Sequence, residues 1–376
     1  MNPQKKARYI MIGGFLGAGK TTCVSKLAQE LTDQGFTVGL ITNDQGSELV
    51  DTAMLRSRGF ATEEIPGGCF CCRFNSLVDA ANKLTELSRP DVFIAEPVGS
   101  CTDLVATVTY PLRRMYGANF VISPLSVVVD PIRAQRIFGL APGGKFSEKV
   151  LYIYRKQLEE ADFIVVNKCE LLDEGNLAQL SARLSVDFPK AEIFMVSART
   201  GKGLEEWFAR IAAGEQPDGA AMAVDYKVYA DGEALLGWLN CTVSVDKPDD
   251  FDGNALLRSL AESMQKTLNA DNAEVAHLKM TFSPNEGLGD IAVINVVRND
   301  FVPELSLELP DMVRAGQVII NCRAEAAPDL LLAAVETALS ATRAQFPGIN
   351  LKLEHSEHFR PGKPEPTHRF ARAVEV

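Results

Sequence analysis

Gly14-Phe15-Leu16-Gly17-Ala18-Gly19-Lys20-Thr21 is the stretch that decides the fold. It has the glycine, four free positions, glycine, lysine and threonine of a loop that cradles phosphates on its backbone N–H groups. The apolar run Tyr9-Ile10-Met11-Ile12 leads into it and reads as a strand over 9–13. An amphipathic stretch, 20–34, leads out as a helix, and strand–loop–helix is the setting that gives such a loop its meaning. The phosphate contacts are assigned to Gly17, Ala18, Gly19, Lys20, Thr21 and Thr22. Lys20 should reach the β- and γ-phosphates, and the Thr21 hydroxyl should hold Mg²⁺.

Outward from that loop, short apolar runs alternate with amphipathic ones. Strands are expected at 9–13, 37–42, 91–95, 126–130, 162–167 and 192–196, with helices at 20–34, 76–87, 149–160 and 177–187. Such alternation predicts an α/β fold, a parallel sheet with helices on both faces. Residues 212–225 are rich in Ala, Gly, Pro and Asp without period and read as a linker. Beyond them, strands at 236–245, 276–282, 290–297, 317–323 and 351–354 and helices at 254–268 and 329–345 predict a smaller α+β layer, ferredoxin-like with an added strand. The expected division is 1–211, linker 212–225, second domain 226–360 and an extended, proline-bearing tail 361–376.

Two later segments point to guanine. The strand at 162–167 ends in Asn167-Lys168-Cys169-Glu170, similar to the guanine-reading Asn-Lys-x-Asp motif with Glu in the Asp position. A carboxylate there accepts from guanine N1–H and the 2-amino group, which adenine does not offer. Ser197-Ala198, after the next strand, resembles the Ser-Ala motif whose backbone N–H contacts guanine O6. Asn167, Lys168, Glu170, Ser197 and Ala198 are therefore the base-contacting candidates, and GTP the expected nucleotide.

Two carboxylates close strands at the sheet edge where ligands bind in such folds. Glu96 ends the strand at 91–95, and Gly99, three residues on, is placed to sense the γ-phosphate. Asp44 follows the strand at 37–42. Lys20, Asp44 and Glu96 form the expected hydrolytic set, with Thr21, Asp44 and Glu96 around Mg²⁺. Asp130, at another strand end, reads as structural.

Gly67-Gly68-Cys69-Phe70-Cys71-Cys72 puts three thiols in four residues on a glycine-started turn. Thiolates select soft or borderline ions such as Zn²⁺, and zinc usually takes four ligands. The turn supplies three, which leaves a fourth place for a side chain, a water or a partner's ligand. An incomplete shell suits transfer. Cys23, Cys101, Cys169, Cys241 and Cys322 stand singly and are expected as buried core thiols. His355, His358 and His368 read as solvated strand-end and tail residues in preference to a second metal site.

With 38 basic against 49 acidic residues the formal charge is −11, which disfavours nucleic acid as a partner. No segment reaches the roughly 18 apolar residues of a membrane span. The chain is read as a soluble cytoplasmic protein with no membrane partner.

Together, GGFLGAGKTT (13–22), TNDQG (42–46), GGCFCC (67–72), EPVG (96–99), NKCE (167–170) and SA (197–198) resemble the CobW-like metallochaperone GTPases, relatives of the HypB and UreG nickel-insertion GTPases. The resemblance covers about the first 210 residues. It implies a SIMIBI-type P-loop fold and slow Mg²⁺-dependent GTP hydrolysis. It further implies Zn²⁺ or Co²⁺ bound at Cys69, Cys71 and Cys72, a client metalloprotein, and nucleotide-dependent homodimerisation. The chain lacks the His-rich stretch common in that family. Its ending, His355 to Pro364, is similar to a branch tied to corrinoid methyltransferases, so a GTP-dependent activator acting on a corrinoid protein is an alternative. A non-catalytic nucleotide-sensing module is a third.

Overall fold

A computed structural model of the protein describes residues 6–43, 59–286 and 289–373. The described chain divides into two compact units, one of 6–43, 59–232 and 363–373, the other of 233–286 and 289–362. Asp44 lies outside the described residues.

In the first unit the strands are β1 (Ala7–Gly13), β2 (Val38–Asn43), β3 (Ala61–Ile65), β4 (Val92–Glu96), β5 (Phe120–Ile122), β6 (Ser126–Val129), β7 (Phe163–Val166) and β8 (Glu192–Met195). They pair in parallel in the order β3-β2-β4-β1-β6-β7-β8, with β5 also on β1. The helices are α1 (Lys20–Asp33), α2 (Phe74–Ser88), α3 (Tyr110–Tyr116), α4 (Pro131–Ile137), α5 (Glu148–Glu159), α6 (Glu174–Asp187), α7 (Leu204–Ala213) and α8 (Tyr226–Leu235), whose last three residues are counted with the second unit. β4 and β7 are buried along their whole length, as strands covered on both faces must be. The chain passes from β1 to β2 on one side and later to β6 on the other, so the loop after β1 sits where the strand order reverses. Open parallel sheets bind ligands at that crevice.

Several elements depart from the expected pattern for visible reasons. β3 has two glutamates in five residues and lies at the sheet edge, so its apolar signal is weak. β5 has three residues, and α3 and α4 seven each, too short for a period to show. α3 follows a π-helical turn, Val105–Thr109, an insertion that often accompanies functional sites.

The second unit holds β9 (Leu236–Phe251), α9 (Gly253–Ala270), β10 (Glu274–Pro284), β11 (Ala292–Val296), β12 (Glu304–Leu307), β13 (Val313–Glu325), α10 (Pro328–Gln345) and β14 (Asn350–Phe359). Its antiparallel sheet runs β12-β11-β10-β13-β9-β14. Read as β9, α9, β10, β13, α10, β14, this is the ferredoxin-like strand order. The pair β11–β12 extends one edge, so two strands are added where one was expected. Leu256, Leu260, Met264, Leu331, Val335 and Leu339 of the two helices join one apolar core with the sheet.

Candidate nucleotide and metal site

The loop after β1 is shaped by glycines that no other residue replaces. Gly14, Gly17 and Gly19 have φ of 129°, 78° and 94°. A Cβ at Gly14 would lie 2.2 Å from the Val128 carbonyl oxygen. Gly19 is the N-cap of α1, and no side chain caps that helix. Its first N–H groups and the positive end of its dipole are thus left to an anion. Lys20 and Thr21 are buried and Thr22 is exposed.

The strand-end carboxylate of Glu96 reaches this loop. The Thr21 hydroxyl donates to Glu96 Oε1 at 3.0 Å, and Lys20 Nζ lies 3.9 Å from the same oxygen. A hydroxyl and a carboxylate side by side are the hard oxygen donors that Mg²⁺ takes beside a triphosphate. Gly99 packs on the loop from the same segment: a Cβ there would come within 2.8 Å of Leu16 Cδ2 and 3.0 Å of its backbone nitrogen.

On the other flank, Asn167 acts as a brace. Its Nδ2 donates to the Ala18 carbonyl at 3.0 Å, and its Oδ1 accepts from Ala198 N–H at 2.9 Å. Lys168, left-handed at φ 58°, donates from Nζ to Gly17 O at 2.8 Å and to Asp130 Oδ2 at 2.9 Å. Asp130 also caps α4 by accepting from Arg133 N–H at 3.0 Å. Ser197 is buried and accepts from Thr200 N–H at 3.1 Å, while Glu170 is exposed. The structure brings the phosphate loop, Asn167-Lys168 and Ser197-Ala198 together.

The cysteine turn is tied to the sheet from the other direction. Asn43, the last residue of β2, donates to Ile65 O at 2.9 Å and Gly68 O at 2.6 Å. From there the chain turns tightly, with Cys72 and Arg73 N–H both donating to Cys69 O, and enters α2. The three sulfurs converge: Cys69 to Cys71 is 2.8 Å, Cys69 to Cys72 3.1 Å and Cys71 to Cys72 3.7 Å. Among the described residues they are the group of His, Cys, Asp or Glu donors near enough to share an ion. Two sulfurs on one tetrahedral Zn²⁺ at about 2.3 Å stand about 3.8 Å apart. Cys71 and Cys72 have that spacing, and Cys69 must move outward by about an ångström or less.

The electrostatics of the cluster are uneven. Hydrogen bonds from the Cys101, Cys71 and Cys72 thiols hold Cys69 well below the ordinary thiol range. Cys71 is pushed well up because its proton is shared with Cys69 and Cys72 and because it is buried. Cys72 is pushed up to about 11, first by its bond to Cys69. Metal entry would displace the protons shared within the cluster, because only thiolates ligate the ion.

Cys101 is buried, as expected, and its thiol helps to hold the Cys69 thiol below its ordinary range. Cys23, Cys169, Cys241 and Cys322 are buried. His355 and His358 lie on β14, at 3.5 Å from Glu357 and 3.3 Å from Asp329. His368 belongs to the first unit and packs edge-on against Phe74.

Two further features escape sequence reading. Asp103 is buried at φ 64°, an unusual backbone state for this residue. Tyr226 donates to its carboxylate at 2.6 Å and Arg369 at 2.7 Å. The segment around Arg369 lies over the cysteine turn. Glu365 N–H donates to Cys72 Sγ at 3.2 Å, Thr367 N–H to Cys71 O at 2.9 Å and the Thr367 hydroxyl to Cys72 O at 3.1 Å. N–H groups aimed at ligand sulfur are the outer-shell donors that orient metal ligands. The signal for Cys101 was present, a fourth cysteine five residues after Glu96. The tail carries no local pattern that reveals its place.

Among the described residues no helix is long and apolar enough to cross a membrane. The sequence profile described as "CobW/HypB/UreG, nucleotide-binding domain" matches residues 8–195. The zinc chaperone CobW of Sinorhizobium sp. is 28% identical over 236 residues, 57% of this chain and 65% of that protein. The zinc chaperone YeiR of Escherichia coli K12 is 28% identical over 167 residues, 43% of this chain and 46% of that protein. The chain thus spans about half to two thirds of the length of these relatives. A crystal structure of HypB from Helicobacter pylori in complex with nickel is similar at 19% identity, covering 55% of this chain and 85% of that one with a TM-score of 0.40.

Proposed function

Because the chain belongs to the CobW/HypB/UreG nucleotide-binding family, we propose that it is a GTPase that takes up a transition metal on its cysteine turn and passes it to a client metalloprotein. The observation that carries this reading is a short mechanical path inside one unit. Glu96 contacts Thr21 of the phosphate loop, and the buried segment that it opens runs on to Cys101, whose thiol helps to hold the Cys69 thiol below its ordinary range. Asn43 makes a second path from β2 to Gly68.

The triphosphate is proposed to lie on the N–H groups of residues 17–22, with Lys20 on the β- and γ-oxygens. Thr21 and Glu96 would hold Mg²⁺, which when bound neutralises charge on those oxygens. Asp44, directly after β2, is assigned to the Mg²⁺ shell or to orienting the attacking water. Water adds to the γ-phosphorus, the bond to the bridging β-oxygen breaks, and GDP and phosphate leave. Asn167, Lys168, Glu170 and the Ser197-Ala198 backbone are assigned to the guanine. Loss of the γ-phosphate removes the group that Gly99 would face, and the segment leading to Cys101 is then free to shift. The relatives' names, zinc chaperones, favour Zn²⁺ over Co²⁺ as cargo.

Competitive titration of Zn²⁺, Co²⁺ and Ni²⁺ into protein loaded with GDP or with a non-hydrolysable GTP analogue tests this. Stoichiometric binding that differs between the two states and is lost in Cys71→Ser is the expected result. Equal affinity in both states would remove the coupling from which the function is inferred.

A further inference from the structure

Asp103 lies on the segment that leaves the phosphate loop, and it holds the segment that covers the cysteine turn. The buried run opened by Glu96 continues unbroken to Leu104. Its nucleotide side is closely packed: a Cβ on Gly13, just before the phosphate loop, would meet Leu104 Cδ1 at 3.5 Å and Pro97 Cγ at 3.8 Å. Gln157 of α5 donates from Nε2 to the Gly99 carbonyl at 2.9 Å and to the Cys101 carbonyl at 2.8 Å. Glu160, one residue past α5, accepts from the Thr102 hydroxyl at 3.1 Å and from Val105 N–H at 3.0 Å. Asp103 sits between these anchors in the left-handed state, φ 64°, which persists only where the surroundings enforce it. Its carboxylate accepts from Tyr226 at 2.6 Å and from Arg369 Nε at 2.7 Å. Arg369 also donates to Met222 O at 2.9 Å, and Phe370 N–H to Ala106 O of the π-turn at 2.9 Å. Two to four residues before Arg369 come the three hydrogen bonds from Glu365 and Thr367 to the cysteine turn. Pro364 and Pro366 flank Glu365 and hold it extended, so its N–H is presented to Cys72 with little ordering left to do.

We propose that Asp103 is the positioning residue through which the bound nucleotide sets the cover on the cysteine turn: its ion pair with Arg369 latches residues 363–373 over Cys71 and Cys72, and loss of the γ-phosphate loosens that latch. The inference rests on reading the glycine loop as a GTP site and the cysteine turn as a metal site, and it adds the element that decides access. Asp103 is 1% exposed. A carboxylate so buried depends on its cation and on the geometry of the pair, so a small displacement of its backbone is felt at Arg369. That backbone belongs to the run that packs Gly99 on Leu16 and Leu104 against Gly13, where the phosphate loop begins. The contacts that close the tail lie within five residues of Arg369, so they open together as one local unit. Closed, the Glu365 N–H sits on Cys72 Sγ and the sulfur is shielded. Open, that side of the cluster is uncovered and a client's ligand can reach the ion. Only hydrogen bonds and one ion pair are made or broken.

Two measurements on the metal-free full chain read the latch: the rate at which iodoacetamide labels Cys72, located by mass spectrometry, and amide hydrogen exchange over residues 363–373. Each is made with GDP and with a non-hydrolysable GTP analogue, on wild type, Asp103→Asn, Arg369→Ala and Arg369→Lys. Asn tolerates the left-handed state, and Arg369 is exposed, so these changes test the ion pair and not the fold. Wild type should label and exchange more slowly with the GTP analogue than with GDP. Asp103→Asn and Arg369→Ala should speed both by about 10-fold in the GTP-analogue state, the effect of one lost hydrogen bond to a charged group. The GDP state should change less, so the difference between the states disappears. Arg369→Lys should keep part of it. A merely structural contact would lower protection by the same factor in both states. Equal rates or a reversed order in wild type overturn the proposal, and so does a nucleotide difference that survives in Arg369→Ala. The underlying reading is checked apart from this. Nucleotide binding without a labelling difference sinks the latch alone, whereas Zn²⁺ binding that is unchanged in Cys71→Ser sinks the metal site.

Discussion

At Gly19 a single hydrogen atom decides whether the phosphate loop can form. Its φ of 94° strains any residue with a Cβ, and that atom would lie 2.5 Å from Asn167 Nδ2. Gly19→Ala should cost about 1–3 kcal/mol of stability and displace the brace between Ala18 and Ala198. Chemical unfolding and titration with a fluorescent GTP analogue check both; wild-type affinity would refute the packing. Glu160 gives a second single-residue test. It is buried and accepts from the Thr102 hydroxyl at 3.1 Å and from Val105 N–H at 3.0 Å. Burial, with Asp103 adding to it, pushes its carboxyl up to about 8 from an ordinary 4.5. The folded chain then keeps a proton that the unfolded chain releases. Stability from this group is fully present below about pH 4.5 and declines until the pH passes about 8. At about 1.4 kcal/mol per pH unit the loss is on the order of several kcal/mol. Glu160→Gln should flatten the decline, so unfolding midpoints at pH 6 and pH 8.5 should differ less than in wild type.

At the scale of elements, the segment from β4 to the π-helical turn joins the nucleotide side to the sulfur side. Gln157 holds it by two carbonyls. Gln157→Leu keeps the volume and leaves both buried acceptors unpaired, at about 1–3 kcal/mol each. Lower stability, together with a smaller GTP–GDP difference in Zn²⁺ affinity, is the expected pair of results. An unchanged difference would show that the clamp does not transmit. The elements themselves were unequally legible. β1, β4 and β7 are short apolar runs closed by Gly, Glu and Asn at the sheet edge, so local composition exposes both the strand and its functional end. β3 is polar and at the edge, and Asp103, just before the π-turn, is held by Tyr226 and Arg369, more than a hundred residues away in sequence. No local pattern encodes such partners. Cys101 illustrates the same limit: its residue type was plain, but whether it stands alone or beside Cys69 is a tertiary fact.

Over the whole chain, residues 363–373 belong to the first unit although the second unit's sequence intervenes. His368 and Phe370 stack, His368 meets Phe74, and Arg114 lies 4.2 Å over the Phe370 ring. Ending the chain at Gly362 would remove the N–H donor to Cys72 and both Thr367 contacts. Zn²⁺ affinity should fall about 10-fold or more, and Cys72 should react faster with a thiol reagent. Equal reactivity in the full and shortened chains would contradict the covering role of this segment.

That arrangement has a consequence for how the protein is made. Cys72 and the amide of Glu365 that binds its sulfur are 293 positions apart. At about 5–20 residues per second, a ribosome needs about 15–60 s to travel between them. During that interval the growing polypeptide carries its sulfurs uncovered, exposed to stray copper and to peroxide. Only a chain translated past Thr367 can shield them, so products abandoned before that point would be unprotected metal scavengers.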